Sequence, residues 1–417
     1  MQQRDARAFR RRRDFGFLLA AGVSAIVVWM IILPALRAPN FGITMYPDGR
    51  IEIRDFPSHL TFAKAFWKGN ANYDVPSYIR VTSEWAGRPL DIALPFPYSP
   101  TMLWLLAPLC ALPTAWGFTL WTLCGLCVVW WVAGPRWPIW VGLAFFSPTA
   151  MSCFGLGQTV VLSTAAMLIL HSLDVESESR SQATAWHLWL GGALLWALGA
   201  KPPVALTAGV ALVAGRQGRV LAVGLALTLC STLLLAPRFG LDGALGYVGM
   251  LTHYDTQATE FFGRSLFPEK MGNLRALLHV TLGWGDTLSF RCSAVVWGCA
   301  LVSLLWAARV GRVDDAQRWS LAVLAYLLFC PHVIATEDLH LVLVLALVGN
   351  WRAQDRPAAS LSVVALGFAV LFLEVLGANA LRIALVFAAK VGMALLLIAR
   401  PRAALQPQAP IAALNPI

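Results

Sequence analysis

Apolar runs broken by short polar loops repeat along almost the whole chain. Residues 15–36 form the first, directly after Arg10-Arg11-Arg12-Arg13. A helix needs roughly 20 apolar residues to cross a bilayer core of about 30 Å, so this run is long enough. Further runs lie at 115–133, 138–154, 159–170, 186–200, 204–214, 221–236, 287–308, 319–330, 341–347, 358–377 and 379–398. The pattern predicts an all-α, polytopic membrane protein with about twelve transmembrane helices. Residues 101–112 are apolar too, but they are short and carry proline at 100, 108 and 113. We expect this run to lie flat rather than cross. The Arg-bearing breaks at Arg136, Arg216, Arg219, Arg309, Arg312, Arg318, Arg352 and Arg356 then all fall on the cytoplasmic side, together with both chain ends. Loops 38–113 and 237–284 fall outside. Residues 1–402 read as a single transmembrane domain, and 403–417, rich in Ala and Pro, as a disordered tail.

The first outer loop departs from this monotony. Leu60, Phe62, Ala63, Phe66 and Trp67 recur at near-helical spacing with Lys64 and Lys68 opposite, which predicts a helix lying in the membrane interface. Asp55 stands at its head. Gly69-Asn70-Ala71-Asn72-Tyr73-Asp74 follows, and then Pro95-Phe96-Pro97-Tyr98-Ser99-Pro100. A membrane anchor needs neither the carboxylate nor the proline-aromatic loop, and the stretch reads as the catalytic ledge of a lipid-facing enzyme.

Composition narrows the class. The 417 residues are 58% hydrophobic and 13% charged, with mean hydropathy +0.65, far outside soluble usage. The net charge of +10 is spread over span ends, as topology requires, and argues against nucleic acid as a partner. The eight cysteines lie mostly inside apolar runs, Cys124 and Cys127 within one, and read as buried thiols. The first run lacks a small-residue cleavage site and reads as a retained span.

On this topology the polar residues that are awkward to bury collect on the outer side: Asp55, His59, Tyr73, Asp74, Tyr98, Gln158, Lys201, Arg238, His253, Arg264, Arg275, His332, Asp338 and His340. Cations in such a cavity suit a phosphate, and a carboxylate suits a hydroxyl proton. Each has a plainer reading. Asp55 also suits a helix N-cap, and Lys201, before Pro202-Pro203, also suits a lysine snorkelling to the interface. Arg264 and Arg275 lie near Phe261, Phe262 and Phe267, a setting for a prenyl phosphate or for an amphipathic surface helix. Gln158 suits a sugar hydroxyl or backbone freed by Gly155 and Gly157. His59, one turn beyond Asp55, suits orienting it. His332 and His340 flank a turn with Glu337 and Asp338 that suits phosphate or sugar. A metal there would need a third ligand, and none is expected.

Asp55-Phe56 with its helix, residues 69–74, residues 95–100 with Pro108-Leu109, Gly157-Gln158, Lys201-Pro202-Pro203 and Met271-Gly272-Asn273-Leu274-Arg275 together resemble glycosyltransferase family 87 over roughly residues 50–350. Two departures stand out. Tyr98-Ser99-Pro100 replaces the commoner Tyr-Pro-Pro, and 330–340 replaces a Ser-Pro followed by Tyr-Asp. The resemblance implies a GT-C enzyme, similar to the polyprenol-phosphate-mannose-dependent mannosyltransferases of bacterial envelopes. It implies an inverting, metal-independent transfer of a hexose, expected to be mannose, from a polyprenyl-phosphate sugar to a lipid-linked or glycan acceptor. The reaction is expected on the extracytoplasmic face of the bacterial inner membrane, without a cofactor. It assigns Asp55 as the catalytic base. Lys201, His332, Arg264 and Arg275 are expected on the donor phosphate, and His59, Tyr73, Tyr98, Gln158, Asp338 and His340 on the sugar or acceptor. A transporter or flippase of polyprenyl-linked sugars is the alternative. It predicts inverted repeats and charges at mid-membrane depth, and the sequence has neither.

Overall fold

The structure, a computed structural model, describes residues 2–38, 41–45, 51–89, 96, 98–134, 137–179, 185–262, 267–349, 357–377 and 379–399. Arg264 and the segment 403–417 lie outside them. The chain is helical except for one antiparallel hairpin, Ile43–Met45 with Ile51–Ile53, which pairs Ile43 with Ile53 and was not expected from sequence.

Five of the described helices are long and apolar enough to cross a membrane: Arg12–Arg37, Thr114–Val132, Gly218–Gly240, Asp286–Arg309 and Ala380–Ile398. A sixth span results if Pro148–Leu156 and Val160–Val175, bent by 111°, count together. Only 17% of the most apolar 18-residue stretch of Gly218–Gly240 and 22% of that of Asp286–Arg309 are buried, so these two turn most of their surface outward. Others are shorter than expected. Pro202–Ala214 has 13 residues, about 20 Å at 1.5 Å per residue. Leu341–Val348 is buried on every side, so this short helix is enclosed by its neighbours. Full-length helices among the described residues therefore account for about half of the twelve expected spans.

Residues 237–284, expected as one long outer loop, are helical over their first part. The helix Gly218–Phe262 continues through a kink at Gly240, just past Pro237, where φ is +61°. Asn72 Nδ2 donates to Phe239 O across the kink (3.3 Å), taking up a carbonyl exposed by the break.

The Asp55–Trp67 helix forms where its spacing placed it, but it does not lie with one apolar face open. Phe56, His59, Leu60, Phe62, Ala63 and Phe66 are all buried. They pack into an aromatic core with Tyr73, Phe96, Tyr98, Phe118 and Phe239, in which the Phe62 and Phe96 rings stack at 5.0 Å. The apolar run after Pro100 is a short helix, Pro100–Leu106, docked on this core. Trp67 Nε1 donates to Leu103 O (3.2 Å), and Trp104 Nε1 donates to Ser231 O (3.0 Å). Ten residues, Pro100–Leu109, are too few to cross a bilayer core.

Met271-Gly272-Asn273-Leu274-Arg275 ties the last span to the centre. Arg382 donates to Glu269 O (3.0 Å) and Met271 O (3.3 Å), and Lys390 Nζ donates to Gly272 O (2.9 Å). A side chain at 272 would meet Val386 Cγ1 at 2.4 Å, so the position admits only glycine at this approach. Asn273 caps Ala276 N and donates to Cys330 O (2.8 Å). Lys390, fully buried, forms an ion pair with Asp338 at 2.6 Å. Arg318 pairs with Asp174 and, at 2.9 Å, with Asp315 near the start of Asp315–Phe329, the end of that helix opposite Cys330.

Lys390→Met leaves Asp338 as an uncompensated buried carboxylate, with an expected loss of about 3–5 kcal/mol. Adding Asp338→Leu should recover much of it. Thermal unfolding in detergent checks both; equal Tm values for the single variant and the wild type would contradict the pairing.

Candidate active site

Asp55 is the first helical residue of Asp55–Trp67, but the cap position is Arg54 and carries no side-chain capping bond. The plain N-cap reading of Asp55 therefore fails, and its carboxylate points elsewhere. Gln158 Nε2 donates to Asp55 Oδ2. The geometry behind this bond is local. Ser147 caps Pro148–Leu156, which ends at Gly157 with φ +68°, and Gln158 N closes the turn onto Cys153 O (2.9 Å). A Cβ at 157 would lie 2.4 Å from Phe56 Cβ. Glycine thus supplies both the left-handed backbone and the room that lets the bend reach the Asp55 helix.

Lys201 occupies the N-cap of Pro202–Ala214, with the two prolines starting the helix as their fixed φ favours. A cation is disfavoured there by the helix dipole, so the position needs a compensating anion. Glu337 Oε1 supplies it, in an ion pair with Lys201 Nζ. The Tyr98-Ser99 turn closes over the same place. Ser99 Oγ donates to Gly199 O (2.6 Å), Ser99 N donates to Ala200 O (3.1 Å), and Lys201 Nζ stands 5.5 Å from the Tyr98 ring centre. The Lys201 side chain keeps 19% of its surface exposed, against 3% for Glu337, so the ammonium is the reachable member of the pair.

Glu337 sits in the turn Ala335–His340 and divides its two oxygens. Tyr326 OH donates to Oε2 (2.9 Å), and His340 Nε2 lies 3.4 Å from the same oxygen. His340 Nδ1 meets Thr164 Oγ1 at 2.9 Å.

Electrostatics join the groups. Burial raises the Asp55 pKa above the usual carboxylate value, against the opposing pull of Lys201, Lys270 and the Gln158 hydrogen bond. Burial disfavours both charges of the Lys201–Glu337 pair, yet their mutual attraction wins. The Glu337 carboxyl is held down at about 2 and Lys201 is raised. His59 is pushed to about 3 by burial and then by Lys201, so it is neutral near pH 7.

The residues expected from sequence separate into two groups. Asp55, Gln158, Lys201, Tyr98 and, through Glu337, His340 come together. His59 packs its ring edge-on against Tyr98 (4.8 Å), and Tyr73 OH donates to Tyr98 O (3.1 Å), so both support the turn. Asp338 pairs with Lys390, as described. Arg275, buried, donates through Nε (2.9 Å) and a terminal nitrogen (2.7 Å) to the Asp286 carboxylate, and also to Pro331 O. His332 is exposed, 5.1 Å from the Phe290 ring on which the Arg275 guanidinium also rests. Asp74 is an N-cap, accepting from Ser77 N (2.7 Å).

Sequence reading passed over Glu337 as a partner of Lys201, together with Tyr326, Thr164 and Lys270. Glu337 was detectable as a charge wedged between two apolar runs. Tyr326 and Thr164 sit inside such runs and carry no signal of their own. Among the described residues, no three His, Cys, Asp or Glu side chains gather where they could hold a metal ion.

The family model described as glycosyltransferase family 87 matches residues 96–331. No curated protein and no solved structure matches the chain.

Gly157→Ala should lose about 1–3 kcal/mol through the strained backbone and displace Gln158 from Asp55. Thermal unfolding in detergent checks the first part. A crystal or cryo-EM structure of the variant with the Gln158–Asp55 bond intact would refute the second.

Proposed function

The chain belongs to glycosyltransferase family 87 and is a multi-pass membrane glycosyltransferase, and from that premise we propose that it transfers a hexose, mannose foremost, from a polyprenyl-phosphate donor to a lipid-linked or glycan acceptor. The observation that carries this reading is a partly exposed carboxylate, Asp55, held by Gln158 and electrostatically coupled to Lys201 and Lys270. A glycosyl phosphate needs a base on one side of the anomeric carbon and cationic stabilisation of the leaving phosphate on the other.

In the proposed step the acceptor hydroxyl gives its proton to Asp55 as its oxygen attacks the anomeric carbon. The bond from that carbon to the phosphate oxygen breaks, and the configuration inverts. A carboxylate with a raised pKa is a better base near neutral pH than an ordinary one. Lys201 and Lys270 offset the charge that builds on the departing phosphate. The chain's own cations neutralise the leaving group, so the step runs without a metal or cofactor. His59, neutral, shapes the acceptor side through Tyr98. Arg275 and His332 share Phe290 and would lie along the donor's prenyl chain rather than on the phosphate.

We assign the reactive end of the bundle to the extracytoplasmic face of a bacterial inner membrane and the fold to the GT-C type, as one domain over 1–402. Two features support the sidedness. Gln158, Lys201 and Cys330 lie at one set of helix ends, and Asp174, Gly215 and Arg318 lie at the opposite ends of the same helices. Arg216, Arg219, Arg309 and Arg312 cluster with the second set in sequence, as the positive-inside rule requires.

Purified protein given polyprenyl-phosphate mannose and a lipid-linked acceptor should turn over. Asp55→Asn should lower kcat by about 10²–10⁴-fold with an unchanged Tm. Translocation of the donor without cleavage would replace this reading by that of a flippase. The pH profile supplies a second check. Because the base works ionised, kcat/KM should fall as pH drops through the raised Asp55 pKa. Gln158→Leu removes a bond that favours the ionised form, so its acid limb should move to higher pH. A limb at the same pH in both proteins would count against Asp55 as the base.

A further inference from the structure

Arg291 stands without a protein partner on Asp286–Arg309, one of the two spans that turn most of their surface outward. Its side chain is exposed, and among the described residues it makes no hydrogen bond, ion pair or ring contact. The acid nearest to it in sequence, Asp286, already accepts two bonds from Arg275. Two residues on, Ser293 Oγ donates to Phe329 O (2.5 Å), which sets this stretch beside Cys330, at the end of the bundle that carries Lys201.

Helix geometry fixes what lies below the guanidinium. Arg291 and Arg309 are 18 positions apart, five full turns, so they share a face and stand about 27 Å from each other along the axis. Between them on that face come Val295, Val302 and Trp306, all more than half exposed. The strip is apolar, open and almost as long as a hydrocarbon core of about 30 Å, with a cation at each end. The two ends differ in kind. Arg309 and Arg312 lie together at the far end, where the positive-inside rule expects them on the sidedness assigned above. That rule leaves Arg291 unaccounted for.

A guanidinium at the edge of a hydrocarbon core is costly without an anion. Its apolar stem lets the head reach the headgroup layer, and the anion at that depth is lipid phosphate, whose oxygens match the guanidinium fork. We propose that Arg291 anchors the headgroup of an anionic phospholipid whose acyl chain lies along Val295, Val302 and Trp306. Charge chooses the class of lipid: one unpaired positive charge is cancelled by a headgroup of net charge minus one. In a zwitterionic phospholipid the headgroup's own ammonium competes for the same phosphate. Geometry chooses the place, because phosphate and chain are covalently joined and a cation at the head of an open apolar strip meets both. Arg275 rests on the neighbouring Phe290 ring but does not compete for the lipid, since its charge is spent on Asp286.

Photolabelling of the full-length protein tests this. It is reconstituted in nanodiscs of phosphatidylcholine with a minor fraction of phosphatidylglycerol that carries a diazirine near the top of one acyl chain, and labelled peptides are mapped by mass spectrometry. Residues 288–302 of the wild type should be labelled about fivefold more than by diazirine-bearing phosphatidylcholine at the same fraction, the preference that one basic side chain supplies. Arg291→Gln should reduce labelling there to the phosphatidylcholine level, and Arg291→Lys should keep most of it. Both variants should match the wild type in Tm, because the side chain has no protein contact to lose. Arg309→Gln should leave labelling of 288–302 unchanged. Equal labelling of the wild type by the two lipids, or labelling undiminished in Arg291→Gln, overturns the proposal and leaves the strip coated by bulk lipid alone. Loss of the label in Arg309→Gln also overturns it, by moving the headgroup to the other end of the helix. Turnover is not the readout, so the outcome is independent of the glycosyl-transfer reading.

Discussion

The ion pair between Lys201 and Glu337 joins two parts of the chain that lie 136 positions apart. Burying either charge alone is expensive, and a lysine at a helix N-terminus is opposed by the helix dipole as well. The pair becomes tenable because Tyr326 and the His340 turn support the carboxylate, and because the Tyr98 ring covers the ammonium. Once it forms, the start of Pro202–Ala214, the Tyr98-Ser99 turn and the Ala335–His340 turn have one relative placement. The Asp55 helix reaches that centre through Gln158.

The aromatic core under the first loop does a different job. Short helices with no full span of their own need a partner surface, and Phe56, Phe62, Phe66, Phe96 and Tyr98 provide it. On a flexible loop Asp55, which we propose as the base, would wander by more than an attack geometry allows. Here its helix is wedged by rings on one side and by the Gly157 bend on the other. The last span adds a second brace: Arg382 and Lys390 grip backbone carbonyls of residues 269–272, and Lys390 steadies Asp338 in the turn beside Glu337.

Legibility varied with the range of the interaction concerned. The Asp55 helix, the Pro202-Pro203 start and the Gly157 stop follow from neighbouring residues, and all three appear where the sequence puts them. The count of spans was less legible, because an enclosed helix and a lipid-facing one are equally apolar. Leu341–Val348 illustrates this, apolar throughout yet surrounded by protein. Arg275 looked available in sequence, but Asp286, eleven positions on and across a turn, claims it.

By itself, the order of residues determined that this chain is a helical membrane protein, that Asp55 heads a helix and that Lys201 stands between two apolar helices, since hydropathy and capping act over a few residues. Only the tertiary structure decided that Asp55 answers to Gln158 and Lys201 to Glu337, residues 103 and 136 positions away. Such pairings depend on which helix ends meet, and that is set by packing many residues at once. No local pattern of charge records it.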